Sequence, residues 1–167
     1  MRKLKLFFAC LLMAVLSMGQ VWATEAEYVI TSQTLNVTLN GEESTAWTIN
    51  SGSFGNYDAT KGAQTTAASF QITCPETYSN VTSIVVYYST NNKSTALIAA
   101  AVGNQEANQQ QVEKSKTNSS LTFSFSDAGD DKTISLSYSK NGNAGSLYIK
   151  KIVVTYTDGE GTQKPTV

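Results

Sequence analysis

Apolar and polar residues alternate with a period of two along most of this chain, which is the pattern of strands half-buried against a core. The strongest run is residues 145–157, Gly-Ser-Leu-Tyr-Ile-Lys-Lys-Ile-Val-Val-Thr-Tyr-Thr. Leu147 and Ile149 alternate with Tyr148 and Lys150; after Lys150-Lys151 the apolar phase moves by one residue, to Ile152, Val154 and Tyr156. A slip of one residue inside a strand is what a β-bulge produces, so a bulge is predicted at or near Lys150-Lys151. Residues 83–89 (Ser-Ile-Val-Val-Tyr-Tyr-Ser) echo residues 151–157. Both runs are apolar on both faces for several residues, which predicts strands deep in a sheet sandwich rather than at an edge.

The rest of the chain supplies shorter strands. Residues 28–30 read as a first strand. Leu35, Val37 and Leu39 alternate on one face, and Asn40-Gly41 then turns the chain. Trp47 and Ile49 face inward from the next strand. From residue 50 to residue 66 the pattern breaks into a long loop rich in Gly and Asn, and long loops in compact domains tend to be functional or disordered. Residues 68–74 alternate again and stop at Pro75. Residues 96–102 form an apolar run that ends at Gly103, read as a buried strand whose small side chains allow another layer to approach. Residues 104–118 are polar, with one edge strand expected around 109–112. Residues 121–125 and 133–138 alternate cleanly and are joined by Asp127-Ala128-Gly129-Asp130-Asp131, which reads as a hairpin. Eight to nine strands at short spacing give an all-β fold: an antiparallel two-sheet β-sandwich, jelly-roll type.

The N-terminus changes the picture of where this sandwich works. Arg2, Lys3 and Lys5 precede an apolar stretch, residues 6–18, too short for a comfortable membrane span. Val21-Trp22-Ala23 has the small residues a signal peptidase reads, so residues 1–23 are expected to be a cleaved signal peptide. Residues 24–157 are then the β-sandwich module and 158–167 a flexible tail or linker. The expected location is secreted, periplasmic or cell-surface. Cys10 is expected to leave with the signal rather than carry a lipid. Removing 23 of the 167 residues leaves 144, about one domain. Three of the 12 basic residues leave too, so nine face 13 acids, a charge of −4. That mild acidity argues against nucleic acid, which needs a basic face. Cys74 is then the one remaining cysteine, so no internal disulfide forms, and its alternation with Ile72 predicts a buried, inert thiol.

Composition also narrows the chemistry. The chain has no histidine, which excludes histidine-dependent triads and dyads. The acids fall mostly in turns and tails, with nothing to set two of them across a cleft as a glycosidase requires. No enzyme is expected. Within residues 50–64, Phe54 and Tyr57 lie among glycines, beside Asn50, Asn56, Asp58, Lys61 and Gln64. Aromatic faces beside planar amides suit the apolar face and hydroxyls of a sugar. The candidate ligand-binding set is therefore Phe54, Asn56, Tyr57, Asp58, Lys61 and Gln64. The competing reading is that Phe54 and Tyr57 plug the end of the sandwich. Asp127, Asp130 and Asp131 are the candidate metal ligands, since calcium takes several oxygens from one loop; a plain solvated turn is the alternative. Trp47 is read as core rather than a binding platform, since it alternates with Ile49; Tyr87 and Tyr148, on the opposite face phase from Ile84 and Ile149, are read as core, with exposed stacking residues as the alternative.

The order of these signatures resembles a known group. A Trp strand leads to a loop carrying Lys61-Gly62-Ala63-Gln64; a strand ending near Pro75 is followed by residues 78–86, Tyr-Ser-Asn-Val-Thr-Ser-Ile-Val-Val; later come residues 145–156. The pattern resembles the jelly-roll, galactose-binding-like (carbohydrate-binding-module-like) domains of secreted Bacteroidetes-type proteins, over about residues 28–157. The resemblance implies a noncatalytic binding module for a glycan or other extracellular polymer, acting through sandwich-end loops or a concave sheet face, with a glycan or extracellular protein as partner; no cofactor is expected, a structural calcium being the one candidate. A protein-interaction or structural module, such as an adhesin or envelope assembly component, is the alternative. The β-repeating strand of residues 145–157 is expected to be scaffold, with specificity in residues 50–64.

Overall fold

The computed structural model describes residues 23–91, 96–140, 142 and 146–157. The expected signal peptide up to residue 22, with Cys10, and the expected tail at 158–167 lie outside the described residues. The strands in chain order are β1 (Ala23–Ile30), β2 (Val37–Leu39), β3 (Glu42–Ser44), β4 (Thr48–Ser51), β5 (Phe54–Asp58), β6 (Gly62–Thr65), β7 (Ser69–Tyr78), β8 (Ser83–Thr90), β9 (Leu97–Val102), β10 (Gln105–Glu106), β11 (Gln110–Gln111), β12 (Ser119–Ser124), β13 (Lys132–Ser139) and β14 (Leu147–Thr157). They form two antiparallel sheets. The larger runs β12-β8-β14-β1-β2-β3, with the β5–β6 hairpin joined to β14 through β6; the smaller runs β10-β9-β13-β7-β4, with β11 also on β9. The architecture is the expected jelly-roll sandwich. Its fourteen strands among the described residues exceed the eight to nine expected, because two- and three-residue strands such as β3 and β10 are too short to show an alternation.

The two apolar echoes lie side by side at the centre of the larger sheet, β8 paired with β14. Ile84, Val86 and Tyr88 of β8 and Leu147, Ile149, Ile152 and Val154 of β14 are all within 1% of complete burial. Their ladder slips between Ile149 and Lys151, so the bulge sits at Lys150, where the phase change in the sequence places it. The opposite edge of β14 changes partner at the same point: Tyr148 and Ile149 pair with β6, while Lys151 onward pairs with β1. Opposing these strands, Phe70, Ile72, Ile134, Leu136 and Tyr138 line the inner face of the smaller sheet. Phe70 stacks on Tyr138 with centroids 5.1 Å apart.

Four local expectations are corrected. Residues 121–125 and 133–138 are not a hairpin: β12 pairs with β8 in the larger sheet and β13 with β7 and β9 in the smaller. The connection crosses the end of the sandwich because Phe125 and Ala128 within it are buried in the core, a burial that a two-stranded turn does not provide. Residues 50–66 are not an open loop but the end of β4 and the β5–β6 hairpin. Its glycines mask the strand pattern while serving close packing: at Gly62 (φ +98°) an added Cβ would lie 1.9 Å from the Ile149 carbonyl oxygen. The strand before Pro75 continues through it to Tyr78. Proline is tolerated there because the β13 ladder skips from Thr73 to Thr77 and the β4 ladder ends at Thr73, so no bond needs its missing N–H. Trp47 is buried just before β4 rather than within it, edge-on to Tyr28 at 5.5 Å. The Asn40-Gly41 turn stands as expected, both residues having positive φ (52° and 94°) as the tight β2–β3 hairpin requires.

One polar cluster is enclosed by this core. The Tyr28 hydroxyl donates to Glu76 Oε2 at 2.6 Å, and accepts from the Tyr78 hydroxyl and from Cys74 Sγ at 3.3 Å. That accounts for the one donor and both lone pairs of a phenol. Burial pushes the Tyr28 and Tyr78 hydroxyls above the ordinary phenol range and the Cys74 thiol up to about 12.

Candidate functional site

The bulge decides which side chains the larger sheet turns to solvent. In an unbroken strand Lys150 and Lys151 would face opposite ways. Here Lys150 keeps the outward phase of Tyr148 and Lys151 takes the outward phase of Val153, so both ammonium-bearing chains lie on the outer face. Register then builds a row across four strands: Val29 of β1 opposite Lys151 of β14, Lys151 opposite Tyr87 of β8, and Tyr87 opposite Ser120 of β12. Around this row is a groove of about 470 Å³ lined by Glu27, Val29, Tyr87, Asn118, Ser119, Ser120, Lys150 and Lys151.

Electrostatics hold the middle of the groove. Lys151 Nζ lies 2.9 Å from Glu27 Oε2 and 4.5 Å from the centroid of the Tyr87 ring. The ammonium is thus held between a carboxylate and a π-face. Lys150 Nζ donates to the carbonyl of Ala59 in the β5–β6 turn, which ties the hairpin to the end of the groove. The face offers one half-buried aromatic ring, one amide, two hydroxyls and two cations, a mixture suited to a polar, ring-shaped ligand.

The residues singled out from the sequence are divided by the hairpin. Phe54 is buried, 8% exposed, with its ring 5.1 Å from Phe70; it closes the core, as the plugging alternative has it, and presents no free face. Tyr57 is half-buried and packs on the core. Asn56 is exposed and accepts from the Tyr57 N–H through Oδ1 at 2.9 Å. Asp58 Oδ1 accepts from the Thr60 and Lys61 N–H groups at 2.8 and 3.0 Å, and those two bonds hold its carboxyl below the usual range, helped by the nearby Lys61 and Lys150. Gln64 Nε2 donates to Ser146 Oγ at 2.8 Å. Lys61 Nζ stands 5.3 Å over the Tyr148 ring, and the Tyr148 hydroxyl accepts from Asn91 Nδ2 at 3.1 Å. Asp58 lies near both Lys61 and Lys150, the latter at the groove, whereas Phe54 is buried in the core.

The acidic connection is elsewhere. Asp127 and Asp131 line a cleft of about 410 Å³ with Gln105 and Lys132, while Asp130 Oδ1 accepts from Asn80 Nδ2 at 3.1 Å. Asp127 and Asp131 share the cleft, but Asp130 is drawn aside by Asn80, and among the described residues no three acidic, cysteine or histidine side chains converge as a ligand set. The acidic turn was visible in the sequence; the lysine beside it was not weighed.

Sequence reasoning missed Lys150, Lys151, Glu27, Asn118, Ser119 and Ser120 as a site, and offered Tyr87 as an exposed stacking residue only as the alternative to core. Tyr87 was read as core, but the outer faces of β8 and β14 are only half-covered at Val85, Tyr87, Lys150 and Lys151. A signal was present: the same phase shift that marks the bulge places two adjacent lysines on one face.

No family model matches the chain, and no curated protein matches it in sequence. Solved structures do share its architecture. The CBM36-1 domain of a multidomain xylanase from the hindgut metagenome of Trinervitermes trinervoides superposes with a TM-score of 0.55 at 12% identity, covering 84% of this chain and 100% of that one. The carbohydrate-binding module CBM36 in complex with calcium and xylotriose gives 0.53 at 15% identity, over 78% and 98%. A family 29 carbohydrate-binding module complexed with cellulohexaose gives 0.51 at 14% identity, over 81% and 93%. The likeness is one of fold, and that fold is the jelly-roll sandwich of carbohydrate-binding modules.

Proposed function

We propose that this chain is a secreted, noncatalytic glycan-binding module, and that the sugar lies in the groove on the outer face of the larger sheet. The observation that carries this reading is the row Val29–Lys151–Tyr87–Ser120, which sets an aromatic ring beside hydroxyl, amide and charged groups on a rigid strand platform. Sites built on strands keep their geometry better than sites on loops. The β5–β6 turn, with Asn56, Tyr57, Asp58, Lys61 and Gln64, acts as the rim at the Lys150 end. The noncatalytic part of the proposal is supported by the lack of histidine and the burial of Cys74. Export is supported by the basic and apolar pattern of residues 1–23. The carbohydrate-binding modules that share the fold add support for the ligand class.

The test is a screen of the protein against an array of immobilised plant and microbial polysaccharides. The reading expects reproducible retention on at least one polymer, lost when Tyr87 is replaced by Ala. Retention on none, or retention unaffected by that substitution, contradicts it.

A further inference from the structure

Charge in the groove singles out a class of sugar. The bulge sets two consecutive lysines in the groove, and Lys61 stands over Tyr148 outside its lining. Of the two neighbouring carboxylates, Glu27 pairs with Lys151 at 2.9 Å, while Asp58 accepts two N–H groups of its own turn through Oδ1 and lies near Lys61 and Lys150 without an ion pair to either. Lys150 has three N–H donors. Its hydrogen bond goes to the neutral carbonyl of Ala59, and among the described residues no carboxylate lies within ion-pair distance of it. The chain as a whole carries a charge of −1, so general attraction for polyanions does not arise from net charge. The charge that could select an anion is the local one at Lys150.

We propose that the ligand is an anionic glycan, in which a sugar carboxylate or sulfate binds the Lys150 ammonium while the adjoining ring lies along Tyr87, with its hydroxyls toward Asn118, Ser119 and Ser120. The inference rests on the glycan-binding reading above. An ammonium is a compact point charge and takes either anion, so the two sources are separated by the choice of polymers. Lys151, held by Glu27 and Tyr87, positions the ring; Lys150 selects the charge.

The experiment is calorimetric titration of the full chain with two matched pairs: polygalacturonate and its methyl-esterified form, and dextran sulfate and dextran. Each pair keeps its backbone and changes only the charge. Binding is expected for the charged member of at least one pair, about tenfold or more tighter than for its neutral partner. Lys150→Gln is expected to remove that preference and Lys150→Arg to keep it, while added salt weakens binding. Binding to neither charged polymer, equal affinity within a pair, or an undiminished preference in Lys150→Gln overturns the inference. Retention of a neutral glycan that depends on Tyr87, with no charged preference, overturns it while leaving the glycan-binding reading standing. Loss of all glycan retention removes both.

Discussion

Lys151 and Tyr87, directly opposite each other on β14 and β8, meet with the ammonium 4.5 Å from the ring centroid. The contact couples the centre of the larger sheet to its outer surface. A packing device, the bulge at Lys150, thereby shapes an outer face where an aromatic ring, an amide, two hydroxyls and two lysines gather.

The Glu27–Lys151 pair is partly solvated, its side chains 47% and 27% exposed. Such a pair contributes about 1 kcal/mol or less. Glu27→Gln is therefore expected to leave the urea midpoint almost unchanged, and to leave binding of an anionic polymer equal or tighter. A large stability loss in equilibrium unfolding would contradict this and make the pair a structural one.

Gly62 adopts φ +98° with the Ile149 carbonyl against it. Gly62→Ala is expected to cost about 1–3 kcal/mol from backbone conformation alone, with the clash added. Hydrogen exchange checks the location of the damage: amides of β6 and the start of β14 lose protection, while β13 keeps it.

Tyr28 is fully buried and satisfies Glu76, Tyr78 and Cys74 together. Tyr28→Phe keeps the ring but removes one donor and two acceptor positions. It is expected to cost about 1–3 kcal/mol, the usual penalty for buried polar groups left unpaired, read as a lower denaturant midpoint with unchanged slope.

The same cluster sets an alkaline limit. Burial raises the Cys74 thiol from 9.0 to about 12, so the folded state favours the neutral thiol. That contribution is present in full below about pH 9 and is lost as the pH rises through about 12. Tyr28 and Tyr78, raised from 10.0, act in the same direction above pH 10. Denaturant midpoints are expected to fall between pH 8 and pH 11, less steeply in Cys74→Ala. At pH 8 the native thiol should react with a disulfide reagent far more slowly than the unfolded one.

Much of the fold was legible because strand alternation is a local signal. The central pair β8 and β14, and the bulge itself, follow from residue phase. The crossing between β12 and β13 did not follow, because a five-residue acidic turn looks the same whether its strands share a sheet or lie in opposite ones; the burial of Phe125 and Ala128 decides it. The β5–β6 hairpin was hidden by glycines that serve close packing on Ile149. Lys150 and Lys151 belong to a strand that reads as scaffold because its residues repeat a packing pattern, and no periodicity shows which strands lie next to them. Face phase alone leaves Tyr87 between core and exposed stacking; register places it beside Lys151 and Ser120.

The most direct measurement is the affinity of the wild type and Tyr87→Ala for the polysaccharide that the array identifies, measured by isothermal titration, with unfolding curves recorded for both. A ring central to the contact predicts at least about a tenfold loss of affinity, with the cooperative unfolding transition retained. Equal affinity in the two proteins would contradict the assignment of the outer groove as the binding site.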